Sequence, residues 1–362
     1  MQNQKSSKHL WKGLVEANLI EGDAPHLELE SPWYIKLLLS ISGWFGAVFL
    51  LIFIGSFLSL TLKINIESFP LLLTFLGAGL TLFSYKMFQS QNSDFLEHFF
   101  LAISLVGQVL VVISVVMMWD NKIFDKEIYL FIALGQAFLM WIIPNYIHRV
   151  MSSFFMALAW AFFFYSMGIF LLYVAFLTFV VAWLWMNEFY FESIKKVQAI
   201  AYGQLVAMVG LKASTLYADN LSDFYSYSTT NLYFQISPSL IIIFSTLTLA
   251  YVVWKILEQS NKLEDKKVLL FSFLAVVLLG LLSFRVSGLV TGVMLLLIGF
   301  SSSHRLLIGL GILSSLFFIS NYYYFMGENL MDKSVVLALV GTLLLSLRWV
   351  VKKFVFKEFK NV

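Results

Sequence analysis

A chain of 362 residues with 60% apolar residues, 12% charged residues and a mean hydropathy of +0.85 is not a soluble globular domain, in which about a quarter of residues are charged. The net charge of +3 is small and scattered over loops, which leaves no basic footprint for nucleic acid. With no cysteine, disulfides, thiolate nucleophiles, iron–sulfur clusters and cysteine-ligated zinc are excluded.

The first 34 residues lack the apolar core of a cleavable signal and read as a cytosolic tail. Within it, HLWKGLVEANLI sets Leu10, Trp11, Leu14 and Leu19 near one face of a short amphipathic helix, which Gly22 and Pro25 would end. Beyond the tail the apolar residues come in blocks of about 18 to 24, enough to cross a hydrocarbon core about 30 Å thick. In such a core every backbone polar group must be satisfied internally, so only helices or closed barrels span it. Barrel strands alternate in polarity, and ISGWFGAVFLLIFIGSFLSL (41–60) does not. The pattern predicts an all-α, polytopic integral membrane protein.

Twelve spans are expected, at 35–60, 69–88, 95–118, 127–144, 150–166, 168–187, 197–217, 236–256, 267–284, 286–301, 305–325 and 334–351. The fifth and sixth meet at Gly168 as a tight hairpin, and the ninth and tenth turn around Arg285. A long aromatic loop, 213–237, follows the seventh, and a basic tail, 352–362, closes the chain. Cytoplasmic loops are enriched in lysine and arginine. With both termini in the cytoplasm, 18 of the 24 lysines and arginines fall on that side, the exceptions being Lys63, Lys122, Lys126, Lys212, Arg285 and Lys333. The expected topology is N-in and C-in.

Polar residues inside apolar spans are the candidates for function. Gly-Gln recurs in LAISLVGQVLVV, FIALGQAFLM and AIAYGQLVAM, which puts Gln108, Gln136 and Gln204 inside three spans. A glycine lets a neighbouring helix come close and the adjacent amide bond across the contact, for about 0.6–2 kcal/mol. Structural glue is one reading; a polar pathway near the midplane is the other. Lys212 is the cation set well inside a span; a lysine there either snorkels to the outer interface or serves a site. Glu97 and His98, in the first turn of the third span, are most simply interfacial.

Other features read as architecture. Gly288 and Gly292 form GxxxG, Gly299 follows seven residues on, and Gly309 and Gly311 open the next span, so small residues line a close crossing. At the outer end of the eleventh span Tyr322, Tyr323 and Tyr324 sit at headgroup level. With Arg285 and Lys333 they are expected either to form an outer-face cluster held by cation–π contacts or to act as a plain aromatic belt. No HExxH, phosphate-binding glycine loop or GxSxG elbow occurs, so no catalytic residue, cofactor or metal is indicated.

Two stretches carry a resemblance. SPWYIKLLLSISGW (31–44) opens the first span with Pro32, Trp33 and Tyr34. The stretch 286–334 contains Gly299 and Phe300, then Arg305, Leu306 and Leu307, the tyrosine triplet, and Lys333 beside Ser334. In order and spacing these resemble the bacterial membrane family called domain of unknown function 4401. The resemblance implies an inner-membrane protein with no catalytic residues to transfer. It also implies partners encoded nearby: a second multi-pass protein and a protein named for a GDYxxLxY motif. The expected role is therefore a membrane-embedded subunit of a hetero-complex, in contact with the lipid bilayer. A transporter or flippase using the buried glutamines is the alternative. A membrane enzyme would have to draw on Tyr322 to Tyr324, Glu328, Asp332 and Lys333.

Overall fold

The computed structural model describes Trp11, Val15, residues 32–62, 70–90, 94–119, 125–216, 238–284, 286 and 288–325, and Met331, Ser334, Val335, Ala338 and Thr342. Among the described residues there are eleven bounded α-helices, one short 3₁₀ turn and no strand. The helices are α1 (Trp33–Leu62), α2 (Pro70–Ser90), α3 (Asp94–Met118), α4 (Lys126–Ile142), α5 (Tyr146–Ser166), α6 (Phe170–Met186), α7 (Ile194–Thr215), α8 (Pro238–Gln259), α9 (Lys266–Ser283), α10 (Leu289–Ser301) and α11 (Arg305–Phe325). The 3₁₀ turn, Glu188–Tyr190, links α6 to α7. These helices fall on the first eleven expected spans. Most of the twelfth lies outside the described residues, although Ser334, Val335, Ala338 and Thr342 are helical.

Length and composition are stricter than the count of apolar blocks. Among the described residues, six helices are long and apolar enough to cross a membrane: Pro70–Gln89, Phe95–Met118, Tyr146–Ser166, Ile241–Gln259, Lys266–Ser283 and Arg305–Tyr324. Phe170–Met186 and Leu289–Ser301 are apolar but shorter. The tenth expected span shrinks to 13 residues because Gly288, at φ 88°, breaks the helix that 286 was expected to begin.

The chain divides into two compact units, 1–110 and 111–362, with the division inside α3. The first is built on α1, α2 and the first part of α3. Its small core holds Ala47, Phe100, Ala102 and Ile103. Glycines set its spacing: a Cβ on Gly43 would lie 2.7 Å from Phe95 O, and one on Gly107 would lie 2.6 Å from Gly77 O.

The second unit is organised around α6. Its buried positions run through Tyr173, Val174, Ala175, Leu177, Thr178, Val181, Ala182, Trp185 and Met186, the wider face of the helix, while Phe176, Phe179 and Trp183 lie on an exposed face. With that wider face α6 packs on α5, α7, α8 and α10. The most extensive pairs are α4 with α5, α5 with α7, and α10 with α11. Each has a local cause. Pro144 holds Ile143 extended, at ψ 123°, which ends α4. Asn145 then caps α5 by accepting from the His148 N–H at 2.8 Å. Ser303, at φ 55°, reverses the chain between α10 and α11, where His304 N donates to Gly299 O at 2.9 Å.

The α10–α11 hairpin closes on the glycines that the sequence marks. A Cβ on Gly292 would collide with Ser315, one on Gly299 would lie 2.7 Å from Ile308 N, and one on Gly311 would lie 2.7 Å from Leu296 N. The Phe318 ring fills the space beside Gly288. Gly309 is different: a Cβ there meets nothing within 4 Å, so this glycine does not serve the crossing. Between α5 and α7 the equivalent contact is Gly203, against Val150 O and Ser153. Gly203→Leu is expected to wedge α5 from α7 at a cost of at least about 1–3 kcal/mol. Gly309→Ala should be neutral or stabilising by up to about 1 kcal/mol. Thermal denaturation of the two variants in mild detergent tests this; equal midpoints would contradict the close α5–α7 crossing.

Candidate functional site

The second unit holds two buried polar centres that draw on distant parts of the chain. The first is Lys212, three residues before the end of α7. Its side chain is 6% exposed and does not reach the surface, so the snorkelling expectation is corrected. Nζ donates to Ser245 Oγ on α8 at 2.9 Å and to Thr291 Oγ1 on α10 at 2.6 Å. Both hydroxyls are themselves buried, at 4% and 1% exposed. The aliphatic stem lets α7 reach α8 and α10 across a gap that a short side chain would not bridge. An ammonium has three N–H donors; two are used here, and Lys212 has no ion pair among the described residues. A lysine taken out of water loses its hydration, a cost it recovers only through hydrogen bonds or an ion pair. Hydrogen bonds to a charged group return about 1.5–3 kcal/mol each, so the two hydroxyls offset part of the cost of its burial.

The second centre joins the α6–α7 corner to the α10–α11 turn. Glu188, in the 3₁₀ turn, is 1% exposed. Its Oε1 lies 3.0 Å from His304 Nε2, and its Oε2 accepts from Gln198 Nε2 at 3.2 Å. The Trp185 ring stands edge-on to His304 and to Tyr202, with centroids 5.2 and 4.8 Å apart. Asn187 Nδ2 reaches Tyr251 Oη at 3.3 Å, which ties the same corner to α8. A buried carboxylate with a partly exposed imidazole and an amide donor can fix a turn or hold a proton.

Arg149 forms a further buried contact. One of the cations that the expected topology puts on the cytoplasmic side, it is buried, and its Nε and Nη2 donate at 2.9 Å to the carbonyls of Met140 and Ile143. A guanidinium thereby satisfies the carbonyls that the end of α4 leaves open. Beside it His148 Nδ1 lies 3.2 Å from Ser152 Oγ.

The three glutamines are buried and do different things. Gln204 Nε2 donates to Ser153 O at 3.1 Å and to Ser153 Oγ at 3.0 Å, across the α5–α7 contact, and Ser153 Oγ donates in turn to Ile200 O at 2.8 Å. This is interhelical glue. Gln108, in the first unit, reaches Ser104 Oγ at 3.4 Å within its own helix, and Gln136 lies on the buried side of α4. A Cβ on Gly135 would meet nothing within 4 Å, so that Gly-Gln pair marks no close crossing. At the end of α11, Tyr322 and Tyr323 are half-buried and Tyr324 is exposed. Arg285 and Lys333, the cations of the expected cluster, lie outside the described residues, as do Glu328 and Asp332.

A groove of about 620 Å³ opens between α6 and α8. It is lined by Phe164, Tyr173, Phe176, Phe179, Phe244 and Tyr251, with Leu172 and Leu247 at its sides. None of the three glutamines lines it. No group of three or more histidine or acidic side chains fit to hold a metal occurs among the described residues.

The Glu188 pairing has a measurable consequence. Glu188→Ala leaves His304 and Gln198 without their acceptor and is expected to destabilise the chain by about 1–3 kcal/mol. His304→Gln keeps an N–H donor near the carboxylate and should cost less. Thermal melts of the two variants check the ranking, and a Glu188→Ala melt matching the unmodified chain would refute the pairing.

No curated protein and no solved structure matches this chain. The model of a family described as Domain of unknown function (DUF4401) matches residues 32–354, from the proline that opens α1 to beyond α11. The Pro32 entry, the paired glycines of the α10–α11 hairpin and the buried centres between them all lie inside that match, and the chain belongs to this family.

Proposed function

We propose that this protein is a multi-pass inner-membrane protein of twelve spans, N-in and C-in, that moves a small polar species through its second unit by way of Lys212. One observation carries the reading: a lysine is buried among apolar helices and held by two hydroxyls, with no ion pair among the described residues. Ionisable residues within membrane segments are costly, and they commonly mark substrate or ion routes. A purely structural bond at this point would need only a hydroxyl or amide, as Gln204 supplies between α5 and α7. Lys212 brings together α7, α8 and α10, three helices whose relative movement would open and close the site. The short α10, beginning at the left-handed Gly288, is the natural moving part.

The natural absence of cysteine allows one labelling experiment to test both topology and route. Ser166→Cys, in the α5–α6 turn, should react with an impermeant maleimide in intact spheroplasts. Ser260→Cys, after α8, should react only once the membrane is opened. Ser245→Cys should react with a small membrane-permeant, water-requiring thiol reagent. Labelling of Ser166→Cys and Ser260→Cys from the same face would sink the topology, and an inert Ser245→Cys would sink the route.

A second reading, a membrane-embedded subunit of a hetero-complex, is supported by the half-open aromatic groove between α6 and α8. Phe176 and Leu247 on its walls are 60% and 59% exposed. The partners it favours are the neighbouring multi-pass protein and the GDYxxLxY-motif protein. Under this reading a Phe176→Asp variant should lose a partner that co-purifies with the unmodified chain from native membranes in mild detergent. Recovery of the unmodified chain alone under several detergents would count against it.

A further inference from the structure

The partners of Lys212 bear on what species the site takes. A carboxylate partner accepts only, so it holds a lysine in its ammonium form. Hydroxyls are different, because each has one donor and two acceptor lone pairs and rotates to suit. Ser245 Oγ and Thr291 Oγ1 both accept from the ammonium in the observed geometry. If the nitrogen loses a proton, one hydroxyl can turn its O–H toward the freed lone pair while the other continues to accept. The site therefore keeps both bonds in either state, without moving a backbone atom.

We propose that Lys212, Ser245 and Thr291 form a proton-binding site, with Lys212 alternating between ammonium and amine. The proposal rests on the reading of this centre as a transport route and names its cargo as H⁺. On release, one Nζ–H bond breaks and its electron pair stays on nitrogen. The proton passes to the oxygen of one hydroxyl, whose own proton goes to a water entering the route, leaving a neutral amine, an intact hydroxyl and a hydronium. Uptake is the reverse.

The surrounding helices leave this exchange to Lys212. Helix α10 has no titratable side chain. On α8, Tyr251 is six residues from Ser245 and accepts from Asn187, while Lys255 and Glu258 lie further on and bond each other at 2.7 Å. On α7 the next titratable group, Tyr202, is ten residues back, or about 15 Å along the helix. Lys195 and Lys196 are further still. On α6, Tyr173 donates to Ala157 O at 2.9 Å. On α5, His148 and Arg149 are engaged with Ser152 and with the end of α4. Glu188 and His304 lie at the opposite end of α10 from Thr291 and bond each other at 3.0 Å, so a proton exchanged beside Ser245 and Thr291 is assigned to Lys212.

The experiment is a pH jump across proteoliposomes containing the full chain, read as charge displacement on a solid-supported membrane. The unmodified chain should give a transient current, and Lys212→Met should give none. Lys212→Arg keeps a cation and its donors but cannot release a proton in a protein. It should stay folded, eluting as a single species at the wild-type position, and also give no current. A wild-type-sized current from either variant overturns the proposal, as does an unmodified chain that gives none. The two ideas fail separately. A reactive Ser245→Cys with an unchanged Lys212→Met current rejects the proton while leaving the route, and an inert Ser245→Cys rejects the route itself.

Discussion

A polar group enclosed by apolar helices has no water to fall back on, and each one left unmet costs about 1–3 kcal/mol or more. Most of what distinguishes this bundle follows from that constraint. The backbone answers it by being helical at most buried positions among the described residues, and the buried break at 143–145 has a local remedy. Where α4 stops at Pro144, the Arg149 guanidinium takes the carbonyls that are left open, and Asn145 takes an amide at the start of α5. Serine and threonine hydroxyls repeatedly return to carbonyls one turn back, as Thr178 does to Val174 and Thr248 to Phe244.

Close helix approach is the second device, and it serves the first. Gly203 lets α5 and α7 meet near backbone contact, which brings Gln204 within reach of Ser153. Gly292, Gly299 and Gly311 do the same for α10 and α11, fixing the turn that carries His304 to Glu188. Without these small residues the polar pairs would stand apart and their burial would be costly rather than neutral. Lys212 works by the opposite route: a long side chain spans a wider gap, and its stem adds apolar packing along the way. Short bridges bind helices tightly, whereas a long one leaves them room to move.

The two polar centres also differ chemically. Glu188 and His304 offer a carboxylate, an imidazole and an amide at a corner of the fold, where His304 keeps 24% of its side chain exposed. Lys212 is enclosed, and its partners are neutral. A corner open to its surroundings suits a latch on the turn between α10 and α11, while an enclosed cation with adaptable partners suits exchange. The α10–α11 hairpin belongs to both, through Thr291 at one end and His304 at the other, which makes it the element through which the centres would influence each other.

The sequence by itself determined the helical class, the membrane character, the family and several of the helix ends, because these depend on composition, run length and local punctuation. Eleven of the twelve expected blocks coincide with described helices, and Pro144, Gly168 and the serines after α10 end elements where they should. It also singled out Gln204 and Lys212, because a polar residue in an apolar run is visible without knowing its neighbours. What only the tertiary structure decided is who those neighbours are. Ser245 and Thr291 lie 33 and 79 residues from Lys212, and Glu188 lies 116 from His304. Serine, threonine and lone histidines are too common in helices to announce such pairings. The rotation of each helix about its own axis, which chooses between lipid-facing and buried, leaves almost no trace when a helix is apolar all round. That rotation turned Lys212 inward, buried Arg149 and left Gly309 facing open space.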